Sequence, residues 1–142
     1  MIKKTVLALT MALAAIAPMA GPSSAADSPV REIIGQGTNI CPQESLCLYQ
    51  DTGYNREKPA RIWIVTGDVE RLSTYDANDR TSSVWFNAPQ GWTARLYKDA
   101  NYEGGFRGYF YSESPWGNNY THFSSPMPDG WNDEVSSVEL LK

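Results

Sequence analysis

Asn132-Asp133-Glu134-Val135-Ser136-Ser137-Val138 matches Asn78-Asp79-Arg80-Thr81-Ser82-Ser83-Val84 at an offset of 54 residues. A second pair, Leu48-Tyr49-Gln50-Asp51-Thr52-Gly53-Tyr54 and Leu96-Tyr97-Lys98-Asp99-Ala100-Asn101-Tyr102, recurs at an offset of 48. The two halves of the chain share a beginning and an end, and the second carries six extra residues between them. Self-similarity at such a period marks a repeated structural unit. Short runs rich in Val, Ile, Tyr, Trp and Phe lie around these stretches. They are Leu46-Cys47-Leu48-Tyr49, Arg61-Ile62-Trp63-Ile64-Val65, Ser83-Val84-Trp85-Phe86, Thr93-Ala94-Arg95-Leu96-Tyr97, Gly108-Tyr109-Phe110-Tyr111 and Ser137-Val138-Glu139-Leu140-Leu141. Gly, Pro, Asn, Asp and Ser clusters separate them, which is the texture of strands and turns. The best helical candidate, Asp68-Val69-Glu70-Arg71-Leu72, is about one turn long and too short to stand alone. The reading is all-β, with about four strands per half, closing as a sandwich or barrel. Asp27 to Asn39 has no clear period and is expected to form a loose N-terminal arm.

The first residues set the compartment. Lys3 and Lys4 precede an apolar run from Thr5 to about Ala17, and Pro18, Gly21 and Pro22 then break any helix. Ser24-Ala25-Ala26 supplies the small residues that a signal peptidase reads. Residues 1–26 are therefore expected to be a secretory signal peptide, with cleavage after Ala26 as first choice and after Ala25 as second. The apolar run is too short to span a bilayer, which needs about 20 residues. The remaining 116 residues suit one domain and carry 10 basic and 16 acidic groups, a net charge of −6. An acidic domain repels phosphate backbones, so nucleic acid is not an expected partner. Cys41 and Cys47, six residues apart in an exported bacterial-type chain, read as a disulfide.

The paired hexads carry the chemistry. Asp and Asn offer hard oxygens, Ser offers a hydroxyl, and such a turn exposes carbonyls. Calcium takes six to eight oxygen ligands and tolerates irregular geometry. No nitrogen or sulfur ligand stands nearby, which disfavours zinc and copper. One hexad alone is a polar turn feeding a strand. Two at equivalent places in a repeat point to calcium, Ca2+, at two sites. In Tyr97-x-x-x-x-Tyr102-x-Gly104 the aromatics suit a folded hairpin, and the glycine suits a positive φ. The first copy reads Tyr49-x-x-x-x-Tyr54-x-Arg56.

Y-x-x-x-x-Y-x-G followed by N/D-N/D-x-x-S/T-S resembles the βγ-crystallin motif from roughly Leu46 to Leu141. The second repeat matches both parts, whereas the first places Arg56 where the glycine belongs. The resemblance implies an all-β fold of two βγ-crystallin-type Greek-key motifs forming a β-sandwich. The domain would run over 41–142, with motif one at about 46–87, motif two at about 93–142 and the arm at 27–40. The resemblance also implies metal ligands. These are side chains or carbonyls of Asn78, Asp79, Arg80 and Ser82 and of Asn132, Asp133, Glu134 and Ser136, with carbonyls of Gln50 and Lys98 completing the opposite sites. Ser83 and Ser137 would tie the hairpins together. Cys41-Pro42-x-x-x-Leu46-Cys47-Leu48-Tyr49, just after a secretion signal, resembles the entry of peptidase inhibitor family I36. The inhibitory type of that family holds its reactive loop with a second disulfide, which this sequence lacks.

The expected function is that of a secreted, extracellular, non-enzymatic, calcium-binding βγ-crystallin-like protein. It would act as a proteinaceous (metallo)peptidase inhibitor on an extracellular peptidase, as a monomer without a membrane span. The alternatives are a calcium-stabilised structural or envelope protein and a killer-toxin-like or glycan-binding protein. His122 is the single histidine, and no G-x-S-x-G elbow accompanies it. Glu113 and Asp99 have nothing to place them across a cleft as a glycosidase pair. The long segment Ser112 to Gly130 offers Trp116, Asn118, Asn119 and Tyr120 as a candidate partner-binding loop.

Overall fold

A computed structural model describes residues 27–89, 91–111, 120–124, 127 and 129–142, with the backbone alone for 107–111 and 120–124. The signal-peptide expectation and the loop candidates Trp116, Asn118 and Asn119 lie outside the described residues. Eight strands are described. They are β1 (Val30–Gly35), β2 (Ser45–Tyr49), β3 (Ala60–Val65), β4 (Ser83–Ala88), β5 (Thr93–Asp99), β6 (Glu103–Tyr111), β7 (Tyr120–Ser124) and β8 (Ser137–Leu141). They form two sheets, ordered β1-β3-β2-β4-β7 and β6-β5-β8, and every strand pairing is antiparallel.

Each half reaches into the other's sheet. β7, from the second half, pairs with β4 of the first. In return Val69, from the first half, bridges Val138 in β8 through hydrogen bonds of 2.8 and 2.9 Å. Two Greek keys thus complete each other's sheets.

Strand alternation builds the core between the sheets. Leu46 and Leu48 of β2, Trp63 and Val65 of β3, Val84, Phe86 and Ala88 of β4, Ala94 and Leu96 of β5 and Val138 and Leu140 of β8 all join one buried cluster. Val69, Leu72, Trp131 and Val135 close its ends. The opposite parity is also buried: Cys47, Tyr49, Ile62 and Ile64 form a second cluster with Cys41 and Tyr54, and Ile33 and Trp85 pack against it. β2 is therefore covered on both faces, which explains its unbroken apolar run Leu46-Cys47-Leu48. The Cys41–Cys47 disulfide forms as expected and sits within this outer cluster. Among the described residues, no helix is long and apolar enough to cross a membrane.

Two expectations need correction. The arm is not loose over its whole length, because residues 30–35 form β1, paired with β3 from Val30↔Val65 to Gly35↔Ala60. Val30 enters the inner core and Ile33 packs on the outer cluster, but Ile34 at the sheet edge is 64 % exposed. That edge position breaks the alternation and hides the strand from sequence. The Asp68 to Leu72 turn is likewise not helical. Val69 bridges β8, Arg71 is extended, and a 3-10 turn begins only at Leu72 and runs to Tyr75.

Candidate cation-binding site

Each half begins with a folded hairpin that one serine holds. The Ser83 hydroxyl donates to the Asp51 carbonyl at 2.7 Å and accepts the Tyr54 N–H at 3.1 Å. Ser137 repeats this with the Asp99 carbonyl at 2.6 Å and the Tyr102 N–H at 3.0 Å. Above each clamp the paired tyrosines meet edge-to-face, Tyr49 with Tyr54 at 5.5 Å and Tyr97 with Tyr102 at 5.7 Å between ring centres. Burial pushes the Tyr49 hydroxyl well above its ordinary pKa. It donates to the Gly37 carbonyl at 3.1 Å.

The hairpins differ where the sequences differ. Gly104 has φ +78°, and a side chain there would run into the Asp99 carboxyl, its carbon 2.7 Å away. Arg56 needs no such freedom, since its φ of −68° and ψ of −24° are right-handed. Asn55 instead takes a left-handed turn, with φ +56°. Asparagine tolerates this better than most residues. Its side chain plugs the hairpin. Oδ1 accepts the Asp51 N–H at 2.8 Å, and Nδ2 donates to the Arg61 carbonyl at 3.0 Å and the Gly35 carbonyl at 3.3 Å. The Arg56 guanidinium lies over the Tyr54 ring, 5.4 Å from its centre.

The two hexads meet crosswise. The Asp79 N–H donates to the Val135 carbonyl at 3.1 Å, and the Asp133 N–H donates to the Thr81 carbonyl at 3.0 Å. The Ser136 hydroxyl donates to Asp79 Oδ1 at 3.1 Å, and the Ser82 hydroxyl donates to Asp133 Oδ1 at 3.2 Å. Asn78 and Asn132 each donate to the other oxygen of the following aspartate, at 2.6 and 2.8 Å. Both aspartates are left-handed, with φ +53° and +55°, which turns each carboxylate toward the opposite half. We call Asp79 with Ser136 the first site and Asp133 with Ser82 the second. Beside the second site lies a polar cleft of about 360 Å³, with Asp51, Thr52, Glu57, Ser82 and Asn132 among its lining residues.

The side chains of the other expected ligand residues have partners of their own or are exposed. Gln50 uses its side-chain oxygen to accept the Arg61 N–H at 3.4 Å. The Lys98 ammonium lies 5.4 Å from the centre of the Trp131 ring. The Arg80 guanidinium turns away to Asp76, 3.2 Å from its Oδ1. Glu134 is exposed. Tyr120 opens β7 at the far edge of the larger sheet, paired with Ala88. Sequence reasoning missed Asn55, Glu57 and Asp76. Aligning the halves at the 54-residue offset sets Asp76 against Gly130, and that mismatch was the available signal.

Among the described residues, no group of three or more His, Cys, Asp or Glu could hold a metal. What the crossed pairs offer is a carboxylate and a hydroxyl each, set amid carbonyls. These are all hard oxygen donors, the set that calcium favours and zinc or copper does not.

A family model described as peptidase inhibitor family I36 matches residues 35–109. A search of curated protein sequences returns no match. Among solved structures, a chain described under the evolution of the eye lens βγ-crystallin domain fold is 21% identical. It aligns with a TM-score of 0.55 over 80% of this chain and 97% of its own. The NMR structure of spherulin 3A from Physarum polycephalum is 20% identical, with a TM-score of 0.50 over 77% of this chain and 94% of its own. These likenesses, the crossing of β7 and Val69 between the halves and the doubled motif agree on one architecture. The chain has the βγ-crystallin fold and belongs to peptidase inhibitor family I36.

Proposed function

We propose that this protein is an exported, non-enzymatic, calcium-binding inhibitor of an extracellular peptidase. Family membership over residues 35–109 supports the peptidase as partner. The observation that carries the calcium reading is the crossed pairing of Asp79 with Ser136 and of Asp133 with Ser82, each joining the two halves. Asp79, Ser136 and the Arg80 and Lys98 carbonyls would hold one ion. Asp133, Ser82 and the Glu134 and Gln50 carbonyls would hold the other. Bound calcium supplies charge neutralisation between the halves and stabilises only the folded chain. The gain is about 2.7 kcal/mol at a hundredfold excess over Kd. Export follows from the expected signal peptide, and extracellular calcium is abundant enough to fill sites of about 10⁻⁴ to 10⁻³ M.

The test is a thermal melt of residues 27–142 with calcium and with excess chelator, followed by a panel of metallo- and serine peptidases. A domain of this size moves by roughly 4–8 °C per kcal/mol. No shift with calcium removes the metal from the reading, and no inhibition across the panel removes the inhibitor. One observation favours a second reading, a calcium-stabilised structural protein. The sequence holds only two cysteines, both used in the Cys41–Cys47 bridge, so no other disulfide can brace an inhibitory loop.

A further inference from the structure

The internal repeat supplies its own comparison. At the third hexad position the second half has Glu134 and the first has Arg80, a cation placed beside a proposed cation site. Two residues before each hexad, the second half has Gly130 and the first has Asp76. Both of these residues are left-handed, with φ +75° for the glycine and +54° for the aspartate. A carboxylate residue thus occupies a backbone position where the other copy uses glycine, a choice that costs conformational energy.

The aspartate has partners that the glycine lacks. Asp76 Oδ1 lies 3.2 Å from Arg80 Nη2, and Asp76 Oδ2 pairs with Arg61 Nη1. Arg61 in turn lies 3.4 Å from Glu32 on β1. Asp76 therefore draws the Arg80 guanidinium back along its own loop. The arginine departs from the second half's pattern, and the aspartate departs with it.

We infer that Asp76 is a positioning residue that shields the first calcium site from the charge of Arg80. This rests on the calcium reading above and adds that the two sites differ in what controls them. The second site has Glu134 at the equivalent position and needs no guard. The first is coupled through Asp76, Arg61 and Glu32 to the edge of the larger sheet.

The test is calorimetric titration of calcium into wild-type protein, Asp76→Asn, Arg80→Gln and the double variant, at low and at physiological ionic strength. Asparagine accepts the left-handed backbone, so Asp76→Asn keeps the turn and removes the charge. A guanidinium released to roughly 8 Å from a divalent ion should weaken the first site by roughly fivefold in a water-like dielectric. The second site should not change, and salt should shrink the difference. Adding Arg80→Gln should restore the first site. Arg80→Gln keeps the main-chain carbonyl proposed as ligand and removes only the side-chain charge, so alone it should change the first site by less than about twofold if Asp76 already offsets that charge. The inference falls if Asp76→Asn leaves the first site within about twofold of wild type, or if Arg80→Gln alone tightens it about fivefold. The second arm decides the matter even if Asp76→Asn fails to fold. A wild type that binds no calcium overturns both this inference and the calcium reading, whereas two wild-type sites that ignore Asp76→Asn overturn this inference alone.

Discussion

Replacing Asn55 with alanine removes all three side-chain hydrogen bonds of the first hairpin's plug. The costs are unequal. The Arg61 carbonyl also accepts the Gln50 N–H at 3.1 Å, so it keeps a partner. The Asp51 N–H loses its 2.8 Å acceptor in a half-buried place. An unpaired donor there costs about 1–3 kcal/mol. Alanine at φ +56° adds roughly 1 kcal/mol, because its Cβ crowds the following carbonyl and it lacks asparagine's compensating local bond. The sum is about 3 kcal/mol, which for a domain of this size lowers Tm by roughly 12–24 °C. Circular dichroism melts in excess chelator would read it free of any metal effect. Asn55→Gly separates the two terms, since it relieves the backbone and leaves the donor unpaired. It should recover about a third of the loss. An alanine variant melting within about 3 °C of wild type would refute the plug, because neither term could then be present.

Ser136→Arg should remove one calcium from the binding stoichiometry, since a cation replaces the hydroxyl that faces Asp79; unchanged stoichiometry in equilibrium dialysis would dismiss that ligand. Arg56→Gly should lower Tm by a few degrees, because glycine adds unfolded-state entropy of up to about 1 kcal/mol and loses the stack on Tyr54. The Tyr49 hydroxyl has a raised pKa, so the stability it lends is full below about pH 10 and is lost as pH rises through its folded-state value. Tyr49→Phe should therefore move alkaline unfolding, followed by circular dichroism, to higher pH; wild-type and variant curves that coincide would exclude Tyr49 as the trigger.

Much of this fold was legible because the repeat is written twice. The six apolar runs named from sequence all lie within β2 to β6 and β8, and in β2 to β5 and β8 burial on one or both faces dictates residue type. β1 was not legible, since an edge strand with Arg31, Glu32 and an exposed Ile34 satisfies no simple period. The Val69 bridge was hidden for another reason. Asp-Val-Glu-Arg-Leu has good helix formers, and only the distant β8 makes it extended. Within the candidate site, the hexads could be found by matching, but their crossing could not. Which serine faces which aspartate depends on contacts 57 and 51 residues apart. The first hairpin does without a glycine at Arg56 because it reaches its turn through Asn55, one residue earlier.

The exchange of β7 for Val69 makes the molecule a self-associated pair enclosed in one chain. A covalent break in the linker after β4 would release no free module, because β7 would still sit in the first half's sheet and Val69 would still bridge β8. Neither half owns a finished surface, and the protein has a seam where other two-unit chains have a hinge.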